Sequence, residues 1–271
     1  MLVTALLAFL LIGAIAAAPF LLEQRRRALR DRPFPREWRE ILARRVPAFG
    51  SLPTHLAHQL EKHIQVFVAE KPFIGCGGFV VDDEVRVTIA AQACLLLLNR
   101  AKPDYFPGLR QVLVYPGAFI VERIRSEPSG ILQEQRQVLS GESWTQGQVV
   151  VSWQDVLEGA AIPDDGRNVV IHEFAHQLDQ QKGYANGAPW LGRRDRYPRW
   201  SRVLGAEFAL LQQRLAIGEP TLINPYGATS PAEFFAVVSE VFFEQPGEMS
   251  ELHPELYEEL THLYRVDPAR W

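Results

Sequence analysis

The spacing of apolar positions predicts a helix-rich chain with a few strands in its middle. Leu56, Leu60 and Ile64 recur at helical spacing, and an acidic run at 82–84 begins a second long apolar helix. Short β-rich runs follow before the helical spacing returns. The predicted helices cover about 54–68, 83–99, 168–182, 199–217, 231–244 and 254–265, and the predicted strands cover 111–115, 119–121 and 148–153. Because helices dominate and the strands are few, we predict an α+β domain.

The N-terminal segment differs from the rest of the chain. Residues 1–22 carry no charged side chain, whereas residues 23–32 contain five arginines. As a helix, the apolar segment would be about 33 Å long, which is enough for a bilayer core of about 30 Å. Arginines that follow an apolar run favour a cytoplasmic location for the remainder. We therefore predict a transmembrane anchor at 1–22, a basic juxtamembrane linker at 23–53 and a folded domain at 54–271.

A cleaved signal peptide is the competing interpretation of the same segment. The small residues Ala16, Ala17 and Ala18 favour cleavage. However, no Lys or Arg precedes the apolar run, and Pro19 directly after the alanines makes a poor cleavage site. An uncleaved anchor is the preferred hypothesis.

Charge and cysteine content exclude two kinds of function. The chain has a net charge of −4, and its basic residues concentrate after the apolar segment, so direct nucleic-acid binding is not expected. The two cysteines, Cys76 and Cys94, lack C-x-x-C spacing and are too few for a cysteine zinc site. A metal site built from cysteines is therefore excluded.

The candidate chemistry lies at 172–176, where the sequence reads H-E-F-A-H and matches the H-E-x-x-H pattern of zinc sites. On a helix, His176 lies about 40° around the axis from His172, and Glu173 lies about 100° from it. Two imidazoles can therefore bind one Zn²⁺ ion with a carboxylate beside them. Asp179, one turn further, could accept a hydrogen bond from the free ring nitrogen of a liganded histidine, or could be a surface aspartate.

A third ligand is needed, and the spacing leaves its identity open. No glutamate occurs between 174 and 206, so a ligand close to the motif is absent. Glu233, Glu240 and Glu244 share one stripe of a later helix, and angle alone cannot choose among them. Residues 230–233 also fit a capping box, in which the Glu233 carboxylate would reach back to the backbone instead of to a metal.

Six stretches of the chain resemble the Mlc titration factor A family of zinc metallopeptidases. They are G-C-G-G-F (75–79), I-A-A-Q-A-C-L-L-L-L (89–98), L-V-Y-P-G-A-F (113–119), V-V-V-S-W (149–153), H-E-F-A-H-Q-L-D (172–179) and P-A-E-F-F-A-V-V-S-E-V-F-F (231–243). The regions around H-E-F-x-H and A-E-F-F-A are also similar to the catalytic domain of anthrax lethal factor. The resemblance implies a mostly helical, zincin-like domain of the gluzincin type.

The resemblance also implies an activity and a set of site residues. It implies a zinc-dependent peptidase of aminopeptidase type that acts on peptide or protein substrates. It implies His172, His176 and Glu233 as metal ligands, Glu173 as catalytic base and Tyr226 as a stabiliser of the transition state. In the mechanism expected from these parts, Glu173 accepts a proton as zinc-activated water attacks the peptide carbonyl. The strand at 148–153 could pair with an extended substrate, or could be an ordinary buried strand.

The family name implies a partner, because it refers to binding of Mlc, a transcriptional repressor that regulates glucose uptake. A Mlc-like repressor is therefore an expected partner. Together with the anchor at 1–22, this predicts a single-pass protein of the bacterial inner membrane whose catalytic domain faces the cytoplasm. The alternative function is a membrane-tethered protein that sequesters a repressor and holds a structural zinc. An intact Glu173 favours the peptidase, because a structural site does not need a general base.

Overall fold

A computed structural model describes residues 2–126, 132–139, 141–144 and 147–271. The helices are α1 (Leu2–Arg30), α2 (Arg36–Arg45), α3 (Thr54–Glu70), α4 (Asp83–Leu95), α5 (Trp153–Ala161), α6 (Val169–Asp179), α7 (Tyr197–Ala216), α8 (Pro231–Glu244), α9 (Pro246–Leu252) and α10 (Pro254–Tyr264). The strands are β1 (Phe73–Gly75), β2 (Gln111–Tyr115), β3 (Phe119–Ser126), β4 (Leu132–Leu139), β5 (Gly141–Trp144) and β6 (Gln148–Ser152). The chain is mostly helical with a small sheet, which confirms the α+β prediction.

The main sheet has the strand order β1-β2-β6-β5. Its first three strands are parallel, and β5 runs antiparallel to β6. Val112 and Val114 of β2 pair with Val149 and Val151 of β6, and all four side chains are buried. Strands β3 and β4 form a separate antiparallel pair. Because β6 has a neighbour on each side, substrate cannot pair along it as the sequence suggested. Strand β5 ends the described sheet and lies against α6.

Helices α6 and α8 pack against each other at the centre of the domain. Phe174 on the buried side of α6 contacts Phe67 and Phe106 edge to face, with ring centroids 5.6 and 4.8 Å away. On α8, Phe242 stacks on Tyr264 of α10 at 5.4 Å. Aromatic contacts of this kind bury large apolar areas in a defined orientation. The core therefore fixes the orientation of each helix. This orientation determines which face of α6 packs against α8.

Side chains define where both central helices begin. Asn168 precedes α6, and its Oδ1 accepts the Ile171 N–H at 3.0 Å. Ser230 precedes α8, and its Oγ accepts the Glu233 N–H at 3.2 Å, with Pro231 at the first helical position. These caps satisfy donors that a helix start otherwise leaves unpaired. The Ser230 cap agrees with half of the capping box expected from the sequence.

The structure adds elements that periodicity did not predict. Strand β1 has only three residues, which is too short to show an alternating pattern. Helix α5 begins directly after β6, because Ser152 ends the strand and caps the helix through the Asp155 N–H. In the segment expected to be a linker, Ile41 and Leu42 of α2 are buried in the same core as the later helices. The predicted division of the chain at residues 22 and 53 stays a prediction.

The predicted membrane location is wrong. Among the residues that the structure describes, no helix is long and apolar enough to cross a membrane. The prediction counted an apolar run that ended at residue 22, whereas α1 continues through the arginine cluster to Arg30. Its charged end is docked on the domain, because the Arg26 Nε and Nη2 atoms donate to the Glu70 carboxylate on α3 at 2.8 and 2.9 Å. The Arg26 guanidinium also lies 4.8 Å above the Tyr105 ring.

This docking predicts that Arg26→Ala destabilises the fold. Glu70 would be left largely buried, with only 11% of its side chain exposed, and without its bidentate partner. We expect the free energy of unfolding to fall by about 1–3 kcal/mol, measured by urea denaturation. Arg27→Ala is the matched control, because the Arg27 side chain is 71% exposed and its ion pair with Glu23 should contribute under about 1 kcal/mol. Equal losses in the two variants would contradict the docking.

Candidate metal centre

Helix α6 brings the two histidines of the H-E-x-x-H motif together. The ring centroids of His172 and His176 lie 4.9 Å apart, with their planes at 82°. His176 is buried and His172 is half-buried, so both rings lie at the boundary between the core and the surface. One helical turn separates the residues, as the angular argument from the sequence required.

Helix α8 supplies the third group. The Oε2 atom of Glu233 lies 3.0 Å from His172 Nε2 and 3.3 Å from His176 Nε2. One ligand atom from each of these three residues lies within 4.8 Å of the others. The Glu233 N–H is bonded to Ser230, but its carboxylate is directed at the imidazoles instead of returning to the helix start. The same residue thus takes part in the cap through its backbone and in the cluster through its side chain.

Glu240 lies behind His172 on the same stripe of α8. Its Oε1 atom is 2.7 Å from His172 Nδ1, and its Oε2 atom accepts the Asn168 N–H at 2.5 Å. A carboxylate at Nδ1 keeps the proton on that nitrogen and leaves the lone pair of Nε2 for a metal. One turn further, Glu244 accepts the Arg167 N–H and an Asn168 side-chain N–H at 2.8 and 3.0 Å. Each of the three acids therefore has its own set of partners, with His172 shared by Glu233 and Glu240 and Asn168 shared by Glu240 and Glu244.

Asp179 does not contact a histidine ring nitrogen as the sequence analysis suggested. Its carboxylate accepts the backbone N–H groups of Asn186, Gly187 and Ala188 at 2.8, 2.7 and 3.0 Å. Gly187 has a φ of +78°, and a Cβ atom there would lie 2.4 Å from the Pro231 carbonyl oxygen at the start of α8. Only glycine fits such a close approach. Asp179 thus fixes a loop that packs against the helix carrying Glu233.

Glu173 lies between the two histidines on α6 and is 4% exposed. Its Oε2 atom has no hydrogen-bond partner among the described residues. Burial raises the pKa of Glu173 to about 7, although the neighbouring imidazoles act in the opposite direction. A carboxyl group with a pKa near neutrality can exchange protons readily at that pH.

The neighbouring groups have opposite pKa shifts. Burial favours the neutral form of Glu233, but its hydrogen bonds to His172 and His176 prevail and hold its pKa well below the usual range. Burial would likewise lower the pKa of His172, but the hydrogen bonds to Glu233 and Glu240 raise it well above its usual value. Both shifts have one cause, because a carboxylate and an imidazole in contact stabilise each other in their charged forms. A bound cation would take the place of the proton between them.

Tyr226 lies beside the cluster on a turn at Pro225–Thr229 that precedes α8. Its ring centroid is 5.9 Å from that of His172, and about half of its surface is exposed. Asn224 Oδ1 accepts the Tyr226 N–H at 3.0 Å, which shapes the turn. A Cβ at Gly227 would lie only 3.4 Å from Val237 Cβ, so the turn packs closely against α8. The same segment therefore carries Tyr226 and Glu233.

The cluster fits a divalent metal. Two imidazole Nε2 atoms and one carboxylate oxygen converge, and three protein ligands of this kind with an open position are typical of catalytic metal sites. Histidine ligands of metal sites are commonly oriented by a carboxylate that contacts the other ring nitrogen. Glu240 has this position at His172 Nδ1. The structure thus brings together His172, His176 and Glu233, with Glu173 beside the histidines and Tyr226 at the rim.

Comparison with known proteins agrees with this geometry. The profile of the glucose-regulated metallo-peptidase M90 family matches residues 21–265. The chain belongs to this family. A Synechocystis protein, slr2042, is 43% identical over an alignment of 272 positions that covers 99% of this chain and 98% of that protein. Mlc titration factor A of Enterobacter sp. is 33% identical and covers 86% of this chain and 87% of its own length. The Klebsiella pneumoniae protein of that name is 34% identical, with coverages of 85% and 86%.

Membership of the M90 family confirms the resemblance and implies a metal. The sequence analysis named every member of the cluster, with Glu233 and Tyr226 implied by the family resemblance, but it suggested Asp179 for the position behind the histidine, where the structure places Glu240. The useful signal was the seven-residue spacing between Glu233 and Glu240, which places both acids on one face of α8 two turns apart.

The contacts of Glu240 predict that Glu240→Gln weakens metal binding. An amide has one acceptor oxygen, whereas His172 Nδ1–H and the Asn168 N–H need one each. We expect zinc affinity to fall about 10–100-fold, measured by competition with a chromogenic chelator. Glu244→Gln makes the same chemical change against Arg167 and Asn168 without contacting a histidine. Its zinc affinity should stay near that of the wild type, and an equal loss in both variants would contradict the positioning role of Glu240.

Proposed function

We propose that the chain is a zinc-dependent peptidase in which His172, His176 and Glu233 hold the metal and Glu173 is the general base. The observation that carries this proposal is the convergence of two Nε2 atoms and one carboxylate oxygen next to a buried carboxyl group, Glu173, whose Oε2 atom has no hydrogen-bond partner among the described residues. Zinc prefers this donor set, and membership of a metallo-peptidase family supports hydrolysis as the reaction.

Each residue of the site has its own role in the proposed hydrolysis. Zinc, when bound, supplies a Lewis acid that polarises the peptide carbonyl and acidifies water. Glu173 accepts the proton of the attacking water and delivers it to the leaving amine. Tyr226 donates its hydroxyl to the oxygen that becomes negative in the transition state. Glu240 keeps the His172 ring oriented throughout, because it contacts the ring nitrogen remote from the metal.

Strand β5 is the proposed binding position for an extended substrate. It ends the described sheet and lies against α6, so a peptide could pair with its outer side and pass the histidines. Aminopeptidase-type cleavage is the specificity that the resemblance to the Mlc titration factor A family implies. Amino-acid anilides and amino-terminally blocked peptides of the same sequence would distinguish removal of terminal residues from internal cleavage.

A Mlc-like transcriptional repressor is a second candidate ligand. The observation that favours it is the name of the relatives that are 33–34% identical over most of the chain. Repressor binding and peptidase activity do not exclude each other. Pull-down of a purified Mlc-type repressor by wild-type protein and by Glu173→Gln would separate them, since only the activity needs the base.

The metal assignment predicts a specific pattern of losses. Purified protein should hold about one zinc ion per chain. His172→Ala and Glu233→Gln should each remove both the ion and the activity, because each deletes a ligand. Glu173→Gln should keep the ion and lower kcat by about 10²–10⁴-fold, because it deletes only the base. Metal content by mass spectrometry and anilide hydrolysis check the pattern. Full activity in zinc-free protein, or in Glu173→Gln, would refute the proposal.

The position of Tyr226 predicts an effect on the transition state alone. Tyr226→Phe should leave zinc content and KM nearly unchanged and lower kcat by about 10²-fold, the effect of losing one oxyanion donor. Tyr184→Phe is the control, since Tyr184 is 76% exposed and lies outside the cluster. If both variants have wild-type kcat, Tyr226 has no part in catalysis.

A further inference from the structure

A pocket of about 190 Å³ lies beside the metal centre, between α7, the first turn of α8 and the loop at 186–188. Pro231 and Phe234 of its wall flank Glu233 on a single turn of α8. The loop donates its backbone N–H groups to Asp179, which lies on α6 about one turn after the second histidine of the motif. The pocket is therefore connected to both helices that form the metal centre.

The buried part of the lining is aromatic, and the lining as a whole is uncharged. Trp200 and Phe234 are buried, and Phe208 contacts Phe234 edge to face with ring centroids 5.6 Å apart. Trp200 Nε1 donates to the Gly187 carbonyl oxygen at 2.9 Å, which fixes the loop to α7. None of the described residues that line the pocket has a charged side chain. A cavity of about 150 Å³ holds one benzene molecule, so this pocket has room for a leucine or phenylalanine side chain.

Gly205 keeps one wall of the pocket open. It lies inside α7, between Ser201 and Phe208 on the stripe of that helix that lines the pocket. Glycine inside a helix is destabilising relative to alanine. A Cβ atom at Gly205 would meet no neighbouring atom within 4 Å, and the backbone there is helical, so neither close packing nor backbone conformation requires glycine. What Gly205 provides is space, because a longer side chain on this stripe would occupy the pocket.

We propose that this pocket binds an apolar side chain of the peptide substrate, at one of the two residues that the cleaved bond joins. The inference rests on the proposed peptidase function, because it names the side chain that the substrate presents. A peptide bond held at the metal centre places its flanking side chains close to Glu233, and the pocket begins on the same helical turn. The pocket should prefer leucine or phenylalanine to alanine, since burial of each further carbon atom strengthens binding.

Two hydroxamates test the pocket through binding, without any cleavage. Leucine hydroxamate and alanine hydroxamate have the same metal-binding group and differ only in the side chain. Calorimetric titration of the zinc-loaded full chain should show about 10- to 100-fold tighter binding of leucine hydroxamate, the difference expected for burying three more carbon atoms. Equal affinities, or no binding of leucine hydroxamate, would overturn the proposal.

Two variants on α7 locate the preference. Gly205→Leu fills the open wall of the pocket and should make the two affinities equal, while alanine hydroxamate binds as it does to the wild type. Ala206→Leu is the matched control, because Ala206 is exposed on the same helix and does not line the pocket. It should keep the preference for leucine hydroxamate. A preference that survives in Gly205→Leu, or that is lost equally in Ala206→Leu, would place the side chain elsewhere and overturn the proposal.

Cleavage of a peptide library, mapped by mass spectrometry, separates this inference from the proposed function. The wild type should cleave next to leucine or phenylalanine, and Gly205→Leu should move cleavage toward alanine and glycine. Cleavage of no peptide by zinc-loaded protein would refute the proposed function, and this inference with it. Cleavage without a preference for large apolar residues on either side of the bond would overturn the pocket assignment alone.

Discussion

Buried carboxylates need partners, and this requirement determines how α6 and α8 meet. Glu233, Glu240 and Glu244 share one stripe of α8, on which Glu240 and Glu244 are buried and Glu233 is half-buried. Each would be strongly destabilising there if it were unpaired. Glu233 contacts both imidazoles. Glu240 contacts His172 and accepts the Asn168 backbone N–H. Glu244 accepts the Arg167 backbone N–H and an Asn168 side-chain N–H. The observed placement of α8 against α6 satisfies all three carboxylates at once, and the geometry of the candidate centre is part of that arrangement.

The aromatic core makes this pairing rigid. Phe174 on α6 and Phe242 on α8 are fully buried and fix their helices from the side opposite to the acids. The Asp179 loop adds a further constraint, since Gly187 packs against the first turn of α8. A rigid surrounding is what a metal centre requires, because ligands held by packing do not have to be ordered when the ion binds. Glu173 lies beside the histidines, and its buried Oε2 atom has no partner among the described residues, so this arrangement leaves it available for chemistry.

Some of this organisation could be predicted from the sequence, and some could not. The angular relation of His172 and His176 is a property of any α-helix, so the histidine pair and its helix followed from spacing alone. The choice of Glu233 over Glu240 did not, because it depends on which end of α8 crosses α6, and no local pattern encodes a crossing point. Asp179 was misplaced for the same reason, since a loop that returns to donate its backbone N–H groups to the Asp179 carboxylate is a tertiary feature. At the N-terminus, composition described an apolar segment correctly, but it gave no sign that Arg26 docks on Glu70.

The direct bonding of α6 to α8 also bears on how this fold can change during evolution. The two helices are separated by about fifty residues of chain, yet their relative position is set by side-chain contacts and not by the length of that connection. The turn after α7 at 218–220 is exposed on every residue. Such a turn can lengthen at small entropic cost, because closing a longer loop adds less than about 1 kcal/mol for each doubling of its length. Related chains could therefore acquire insertions there, and with them new surfaces for recognition, while the arrangement of histidines and glutamates stays the same.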